Sequence, residues 1–550
     1  MAKRSQVVDE DSPHHTKKDK VPLRFVTAAS LFDGHDAAIN VMRRMIQSCG
    51  AEVVHLGHNR SAEDVVRAAI QEDADAIAMS SYQGGHMEYF RYMLQLLRKN
   101  NASHIKVFGG GGGTITLEEI DQLEKEGVDK IYHPTHGMQL GLVGMIEDLI
   151  SRAGNDRLEG LCPSEVSIDD EISVAQMISL IEEDFFEDVE LSRMKKAWML
   201  QAGDTPVLGV TGTGGAGKSS TVDELLGRFL RYRPDMRIAV LAVDPTRRRT
   251  GGALLGDRIR MNTLSSRNIY MRSIATRRQH LSTSKMLGDI TLFLKSLAYD
   301  LILVETAGIG QSDSEIVDLV DFSLYIMTSD YGAASQLEKI DMLDYADMII
   351  LNKFDRRGTE DALRDIRKQW QRNHNAFQNK LEDIPVYPTI ASQFNDPGVN
   401  WAFANLCKLI AEKNALDRSV WLKGLPYFGE TAETQNKAQE PKSVALIPGS
   451  KIRYLSEISE QAREIKRKNI AQADAASKAF RYYEALRIVE DENLPNALEA
   501  YPSIVLENQS DPTMLALRQN YQAALNGLDA ESIHLLQEWP KRKEAVETEN

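Results

Sequence analysis

Several features that mark other protein classes are scarce in this 550-residue chain. Its three cysteines form no CxxC pair, which argues against a zinc site and fits a reducing cytoplasm. The 80 acidic residues outnumber the 65 lysines and arginines, so no surplus of cations is available for duplex DNA. No apolar run reaches the ~18 residues of a membrane span, and the first twenty residues lack the apolar core of a secretory signal. We expect a cytoplasmic protein that binds neither nucleic acid nor membrane.

The order of apolar runs and amphipathic stretches predicts a multidomain α/β protein. Five successive strand–helix units predict a parallel, doubly wound sheet of the flavodoxin-like type, and a second α/β pattern follows it. A long charged helix and two shorter helices are expected near the end of the chain. The predicted segments are a disordered tail (1–20), a first α/β domain (21–152), a helical linker (153–200), a second α/β domain (201–416) and a helical extension (417–550).

A phosphate-binding loop opens the second domain, between a predicted buried strand and a predicted helix. In this context the glycines let backbone amides surround the phosphates, the lysine contacts the β and γ phosphates, and the hydroxyl binds Mg²⁺. A chance glycine-rich turn is the alternative. The predicted phosphate-contacting residues, of which the lysine is also predicted to be catalytic, are Gly212, Gly214, Gly215, Ala216, Gly217, Lys218, Ser219 and Ser220.

Acidic residues end two later strands of this domain, at Asp244 and Glu305. Such carboxylates usually reach Mg²⁺ directly or through water, although ordinary strand-end capping is the alternative. Asp257 and Arg260 follow a glycine-rich run and are predicted to contact Mg²⁺ and phosphate, with two solvated surface charges as the alternative. Glu305 is also predicted to be catalytic. The predicted magnesium ligands are Ser219, Asp244, Asp257, Glu305 and Thr306.

The tetrapeptide Asn352-Lys353-Phe354-Asp355 follows another apolar strand and has the NKxD pattern of guanine-specific proteins. The Asp355 carboxylate can accept two hydrogen bonds from guanine that adenine does not offer, and the Lys353 stem can pack on the purine. Asn352 is included in the same predicted site. Ser392, after the next apolar run, is predicted to contribute to a last guanine-contacting loop.

Residues 207–355 resemble the metallochaperone GTPases that serve methylmalonyl-CoA mutase, within the SIMIBI class of P-loop proteins. The motifs that carry the resemblance are GTGGAGKSS, VDPTRRRTGGALLGDRIRM, VETAGIGQSD and NKFD. It implies GTP hydrolysis coupled to the loading or protection of a cobalamin enzyme, and a switch region at Gln336–Lys339. No glutamine stands where Ras-like proteins position the hydrolytic water, so we expect slow intrinsic turnover.

The loop Asp33-Gly34-His35 follows the first predicted strand, at the sheet edge where doubly wound folds bind ligands. Asp33 can accept one ring N–H of His35 and fix its tautomer, as carboxylates do for metal-bound histidines. A histidine at a helix N-cap is the alternative. Residues 33–38 resemble the DxHxxG signature of cobalamin-binding domains, with Ala38 in place of the last glycine. The segments around Ser80 and Gly109–Gly113 resemble their SxL and GG elements, with Tyr82 in place of the leucine.

This second resemblance implies that His35 is the lower ligand of cobalt. It also implies a narrow slot for the displaced nucleotide tail of the cofactor beside Ser80, Gly110 and Gly111.

The domain order resembles the N-terminal part of the fused isobutyryl-CoA mutases. The resemblance implies adenosylcobalamin, GTP and Mg²⁺ as cofactors, and reversible rearrangement of isobutyryl-CoA to n-butyryl-CoA, with the GTPase assisting cofactor loading and holoenzyme assembly. It implies an acyl-CoA substrate barrel of ~250 residues, on the same polypeptide or a separate subunit, and a homodimer in the full assembly. A cobalamin adenosyltransferase is a further candidate partner.

Two other functions stay open on the sequence. One is a cobalamin carrier or sensor GTPase with no isomerase role. The other is a GTPase that delivers nickel or another metal, which the absence of a histidine-rich tract disfavours.

Overall fold

A computed structural model describes residues 21–154, 165–246, 252–276, 280–306, 315–331, 337–338, 340–414, 421–425, 454–507 and 511–548. The chain divides into two compact units, residues 1–443 and 444–550. The first unit contains two parallel β-sheets with helices packed on them, and the second unit is helical. Within the described ranges, no helix combines the length and the apolar character that a membrane crossing needs.

The first sheet is a doubly wound parallel sheet, as the sequence predicts. Its strand order is β5-β4-β3-β1-β2, extended beyond β2 by a short strand, β8, from the second domain. Apolar clusters cover both faces, which is why the strands are nearly continuous apolar runs. The strands are β1 (Arg24–Ser30), β2 (Glu52–Arg60), β3 (Ala76–Ser80), β4 (Lys106–Gly110) and β5 (Lys130–Tyr132). The helices are α1 (Asp36–Ser48), α2 (Ala62–Gln71), α3 (His86–Lys99), α4 (Leu117–Glu126) and α5 (Pro134–Ala153).

Helix α5 begins at Pro134, because proline fits the first turn of a helix. Gly141 interrupts it with φ 66° and ψ 168°, so two helical stretches meet at this glycine.

The second sheet has the order β13-β12-β11-β6-β10-β7-β9, and its neighbouring strands pair in parallel. The strand that precedes the phosphate loop, β6, therefore lies at the centre of the sheet. The strands are β6 (Val207–Gly212), β7 (Ile238–Pro245), β8 (Ala253–Leu255, in the first sheet), β9 (Ile269–Thr276), β10 (Leu301–Thr306), β11 (Phe322–Met327), β12 (Met348–Leu351) and β13 (Val386–Pro388). The helices that accompany this sheet are α8 (Lys218–Tyr232), α9 (His280–Ser296), α10 (Met342–Tyr345), α11 (Thr359–Asn373) and α12 (Pro397–Lys413).

Two helices lie within the predicted linker, α6 (Glu171–Glu182) and α7 (Asp188–Gln201). These two helices are not an exposed connector, because Val174, Ile178 and Trp198 are buried in one apolar cluster with strands of the second sheet. The linker boundary at 153–200 stays a prediction, but much of this segment packs as part of the second domain.

The second unit is built on the long helix α13 (Tyr454–Ile488), which covers most of the predicted long helix. Its later turns pack with residues from the following helices around a small core that includes Leu486, Tyr501 and Tyr521. The Arg518 Nε–H donates to Asp491 Oδ2 over 2.8 Å, and this buried ion pair lowers the pKa of Asp491 to about 2. The other helices are α14 (Ser503–Leu506), α15 (Pro512–Asn526) and α16 (Ala530–Thr548).

Candidate functional site

The loop after β1 holds a histidine in a fixed orientation. The Asp33 side chain is buried and His35 is 75% exposed, and His35 Nδ1 lies 2.9 Å from Asp33 Oδ1. Because an ionised carboxylate can only accept, Nδ1 carries a ring proton, and in a neutral imidazole this arrangement leaves the lone pair on Nε2. His35 directly precedes α1 but makes no side-chain capping bond to it. The geometry therefore favours a presented imidazole over a helix cap.

Asp33 itself is held by three donors. Burial opposes its ionisation, but the backbone N–H groups of Tyr82 and His35 and the His35 ring outweigh burial and lower the pKa of Asp33. The Tyr82 N–H donates to Asp33 Oδ2 over 2.7 Å, and the Tyr82 ring centroid lies 5.5 Å from that of His35. The predicted histidine loop and the predicted Ser80–Tyr82 segment are thus brought together.

A cleft of about 200 Å³ opens beside this loop, at the carboxyl ends of β3 and β4. The Ser80 hydroxyl there is buried and has no hydrogen-bond partner among the described residues. A Cβ at Gly111 would lie 2.0 Å from the Ser81 carbonyl oxygen, so only glycine fits, whereas Gly110 has room for one. Such a cleft suits a flat apolar ring that also carries a hydrogen-bonding atom. Its lining includes Ala38, Met42, Ser80, Tyr82, Gly111 and Met145.

The phosphate loop connects β6 to α8, as predicted. Gly217 has φ 95°, and a Cβ there would lie 2.4 Å from Asn352 Nδ2. A Cβ at Gly212 would lie 2.0 Å from the Ile326 carbonyl oxygen on the neighbouring strand. The Lys218 ammonium donates to the carbonyl oxygens of Gly212 and Thr213 over 3.0 and 3.3 Å. The Lys218 side chain thus spans the loop and contacts the backbone at its beginning.

Three carboxyl groups converge next to the loop. The Ser219 hydroxyl lies 3.0 Å from Asp257 Oδ1 and 2.8 Å from Glu305 Oε1. Burial, followed by repulsion from Asp257, raises the pKa of Glu305 to about 8 and that of Asp244 to about 7. One carboxylate oxygen each of Glu305 and Asp244, together with Thr306 Oγ1, is buried without a hydrogen-bond partner among the described residues.

A cation would relieve this crowding of buried acids. Across the residues that the structure describes, no group of three or more His, Cys, Asp and Glu side chains is placed to hold a metal on its own. A Mg²⁺ ion here would therefore rely on the Ser219 hydroxyl, one or two carboxylates, and ligands such as phosphate oxygens and water, which is how Mg²⁺ is usually bound.

The Asn352 side chain connects its own loop to the phosphate loop and to the loop that contains Ala391. Its Nδ2 donates to the Ala216 carbonyl over 2.8 Å, and its Oδ1 accepts from the Ala391 N–H over 3.0 Å. Lys353, with φ 58°, donates to the Gly215 carbonyl over 2.7 Å. Asp355 and Ser392 are exposed beside these anchors. The predicted guanine-binding residues are thus held against the phosphate loop.

Of the remaining predicted residues, some are exposed at the nucleotide site and others lie outside the described part of the chain. The Arg260 side chain is 63% exposed and lies 3.5 Å from Asp257, and Ser220 is exposed at the start of α8. In the predicted switch region, Gln336 and Lys339 lie outside the described residues. Gly251 and Gly308, within the quoted motifs, also lie outside them.

A polar network between the two domains was not predicted from the sequence. It joins Arg24, Glu52 and Glu72 of the first domain to Glu182, Arg258 and Arg272 through hydrogen bonds between fully or nearly buried side chains. Charged residues inside otherwise apolar strands, such as Arg24 and Arg272, were the available signal, because a buried charge requires a partner.

Fold and site together define a cobalamin-binding domain joined to a P-loop GTPase domain. Residues 23–137 match the family model "B12 binding domain", and residues 174–396 match "Methylmalonyl Co-A mutase-associated GTPase MeaB". The second match begins inside α6, in accord with the packing of that helix on the second sheet. The chain therefore carries both domains, in the order predicted from the sequence.

Relatives in which both domains occur together are the fused isobutyryl-CoA mutases. The chain is 44% identical to that of Geobacillus kaustophilus over 545 residues, 96% of this chain and 47% of the relative. It is 48% identical to that of Cupriavidus metallidurans over 472 residues, 85% of this chain and 42% of the relative. The chain thus spans about half the length of these curated relatives. The GTPase ArgK of Escherichia coli is 35% identical over 185 residues, 33% of this chain and 55% of the relative.

Proposed function

We propose that this chain is the adenosylcobalamin-binding and GTP-hydrolysing part of an acyl-CoA mutase. The reaction is the reversible rearrangement of isobutyryl-CoA to n-butyryl-CoA, in which the thioester carbonyl group and a hydrogen atom exchange places on adjacent carbons. The GTPase assists loading of the cofactor and assembly of the holoenzyme. Similarity over most of the chain to fused isobutyryl-CoA mutases supports the choice of reaction.

One observation carries the proposal: His35 stands exposed on the buried carboxylate of Asp33, and its ring lies 5.5 Å from that of Tyr82, which lines an apolar cleft. In this role His35 Nε2 would hold the cobalt of the cofactor, and Asp33 would keep the ring proton on Nδ1. The cleft would accommodate part of the cofactor, with the Ser80 hydroxyl available as a hydrogen-bonding group. Adenosylcobalamin, when bound, supplies the radical chemistry of the rearrangement.

The nucleotide site is proposed to hold Mg²⁺·GTP. The phosphate loop and Lys218 would bind the phosphates, with Arg260 near them. The candidate ligands of the ion would be Ser219, Asp244, Asp257, Glu305 and Thr306, of which it would use the hydroxyl and one or two carboxylates. Asp355 selects guanine, with Lys353 and Ser392 beside the base. The unpartnered carboxylate oxygens at Glu305 and Asp244 support a cation site, since buried charges require compensation.

The proposed partners follow from the relatives. They are an acyl-CoA substrate barrel, on the same polypeptide or as a separate subunit, and a second copy of the assembly in a homodimer. A cobalamin adenosyltransferase is a candidate donor of the cofactor. A cytoplasmic location is proposed from the cysteine pattern alone.

The experiment that tests the proposal is electron paramagnetic resonance of bound cob(II)alamin on protein labelled with ¹⁵N-histidine. We expect a nitrogen coupling with the isotope's signature in the wild type and its loss in His35→Ala. His104→Ala is the matched control, because His104 is exposed in the same domain and lies outside the cleft.

If the coupling is absent from the wild type, or survives in His35→Ala, the first domain does not bind cobalamin in this way and the mutase assignment fails. A wild-type coupling with no affinity for a substrate-barrel chain would favour the carrier or sensor function instead.

A further inference from the structure

A short segment of the GTPase domain lies in the sheet of the cobalamin domain. Strand β8 pairs in parallel with β2, Glu52 opposite Ala253 and Val54 opposite Leu255. Ala253 and Leu255 are fully buried in the apolar cluster of the cobalamin domain. A Cβ at Gly252 would lie 2.2 Å from the Gln47 carbonyl oxygen, so the two backbones touch there. The cobalamin domain thus fixes where this segment runs.

The next turn, Asp257–Arg260, presents neighbouring side chains to the two domains. Asp257 lies 3.0 Å from the Ser219 hydroxyl in the nucleotide site. Arg258, the next residue, donates to Glu72 Oε1 over 2.6 Å and to Gln71 Oε1 over 2.8 Å, both in the cobalamin domain. The position of Asp257 therefore depends on where Arg258 is held.

Glu72 is suited to hold Arg258. It is fully buried at the end of α2, and it also accepts hydrogen bonds from the Ser273 backbone N–H and hydroxyl over 3.0 and 2.9 Å. Charge-assisted hydrogen bonds of this kind are short and directional, and a buried guanidinium that loses its carboxylate must move or remain uncompensated.

The same turn touches β2, and the end of β2 contacts the histidine loop. A Cβ at Gly57 in β2 would lie 2.7 Å from the Ile259 side chain. Two residues further, Asn59 Oδ1 accepts from the N–H of Phe32, which precedes Asp33, over 2.8 Å. Contacts are therefore continuous from the Asp257 turn to the histidine loop.

We infer that Glu72, a residue of the cobalamin domain, positions Asp257 in the nucleotide site through Arg258. This inference rests on the proposed function, since it assumes a Mg²⁺·GTP site at Ser219 and Asp257. It makes Glu72 a positioning residue for the GTPase, and it makes the cobalamin domain part of the support of the magnesium site.

The test compares Glu72→Gln with Glu182→Gln in the full chain. Glu182 is the matched control, because it is a buried carboxylate of the same interdomain network that accepts hydrogen bonds from Arg24 and Arg272. For each protein, the affinity for a fluorescent GDP analogue is measured with and without Mg²⁺. The melting temperature and cob(II)alamin affinity are measured in parallel.

For Glu72→Gln we expect the gain in GDP affinity on adding Mg²⁺ to fall about tenfold or more, as when residues that orient metal ligands are lost. The affinity without Mg²⁺ should change little. Glu182→Gln should lose stability yet keep the magnesium gain. An Arg258→Gln variant should match Glu72→Gln, and the double variant should add no further loss, because the pair acts as one unit.

A Glu72→Gln protein that keeps the wild-type magnesium gain, or one matched in that loss by Glu182→Gln, overturns the inference. If Glu72→Gln fails to fold, Ser273→Ala removes one donor to Glu72 and should give a smaller loss in the same direction; no loss there also overturns it. Wild-type protein without magnesium-dependent GDP binding contradicts the proposed function itself, which separates the two failures.

Discussion

The histidine loop of the cobalamin domain and the acidic site beside the phosphate loop differ in how well their charged groups are compensated. In the cobalamin loop, Asp33 is surrounded by donors, and its pKa is lowered. In the nucleotide site, Glu305 and Asp244 are buried against another carboxyl group, and their pKa values rise to about 8 and about 7. The first loop is already held by hydrogen bonds to Asp33 in the absence of a ligand. The second contains charge repulsion that only a cation or protons can relieve.

Because of this difference, we expect the two sites to respond to different changes. The cobalamin loop depends on hydrogen bonds that already exist, so removing one acceptor should weaken binding directly. The nucleotide site depends on ligands that are still to be added, so its properties should vary with pH and with Mg²⁺.

The largest expected effect comes from the phosphate loop. Lys218→Ala removes the cation that faces developing phosphate charge, and we expect GTP hydrolysis to fall about 10²–10³-fold. Corrin affinity should not change, because the histidine loop lies in the other domain. Phosphate release and absorbance titration measure the two properties.

Lys295→Ala is the matched control, since it removes an ion pair with Asp321 in the same domain and should leave hydrolysis intact. Retained hydrolysis in Lys218→Ala would mean that the phosphate loop is misassigned.

A smaller effect is expected in the cobalamin loop. Asp33→Asn loses the charged acceptor that fixes the His35 tautomer, and cob(II)alamin affinity should fall about tenfold. Absorbance titration measures this, with Asp129→Asn as control. Asp129 also accepts a backbone N–H, from Val107 over 2.7 Å, but lies outside the cleft. Equal affinities in all three proteins would show that the Asp33 carboxylate does not support the ligand.

The smallest effect is a pH dependence of stability in the cation-free protein. The folded chain keeps a proton on Glu305 up to a pKa of about 8, whereas the unfolded chain releases it near the ordinary value of 4.5. Between these two pKa values the folded protein binds more protons than the unfolded chain. The contribution of Glu305 to stability is therefore greatest at low pH and is lost as the pH rises to about 8.

Melting temperatures at pH 6 and pH 8 measure this effect. The wild type should lose more stability over this range than Glu305→Gln, and Mg²⁺ with GDP should reduce the loss in the wild type. Parallel pH dependences in the two proteins would contradict the raised pKa and, with it, the contrast between the two loops.

Local patterns allowed much of this structure to be predicted. The five successive strand–helix units of the first domain were predicted, because apolar spacing and caps such as Ser61 before α2 are local signals. The phosphate loop and the NKFD loop were found for the same reason, since each motif is contiguous and its glycine or polar residues have defined roles.

Long-range pairings were beyond sequence reasoning. Glu72 and Arg258 lie 186 positions apart, and neither has a distinctive neighbour. The three residues of β8 are a generic apolar run, and nothing local indicates that they leave their own sheet for another. The contacts between the cobalamin domain and the turn at Asp257–Arg260 are visible only in the three-dimensional arrangement of the two sheets.

The strand shared between the sheets also bears on how the protein can be divided for laboratory work. A cobalamin domain produced alone, without residues 253–255, would present β2 as an open edge, the kind of surface that invites aggregation. A GTPase domain produced alone would expose Ala253 and Leu255 to water and leave Arg258 and Arg272, both buried here, without their acids. The boundary along the chain is therefore not a boundary in space, and soluble expression should require the two domains together.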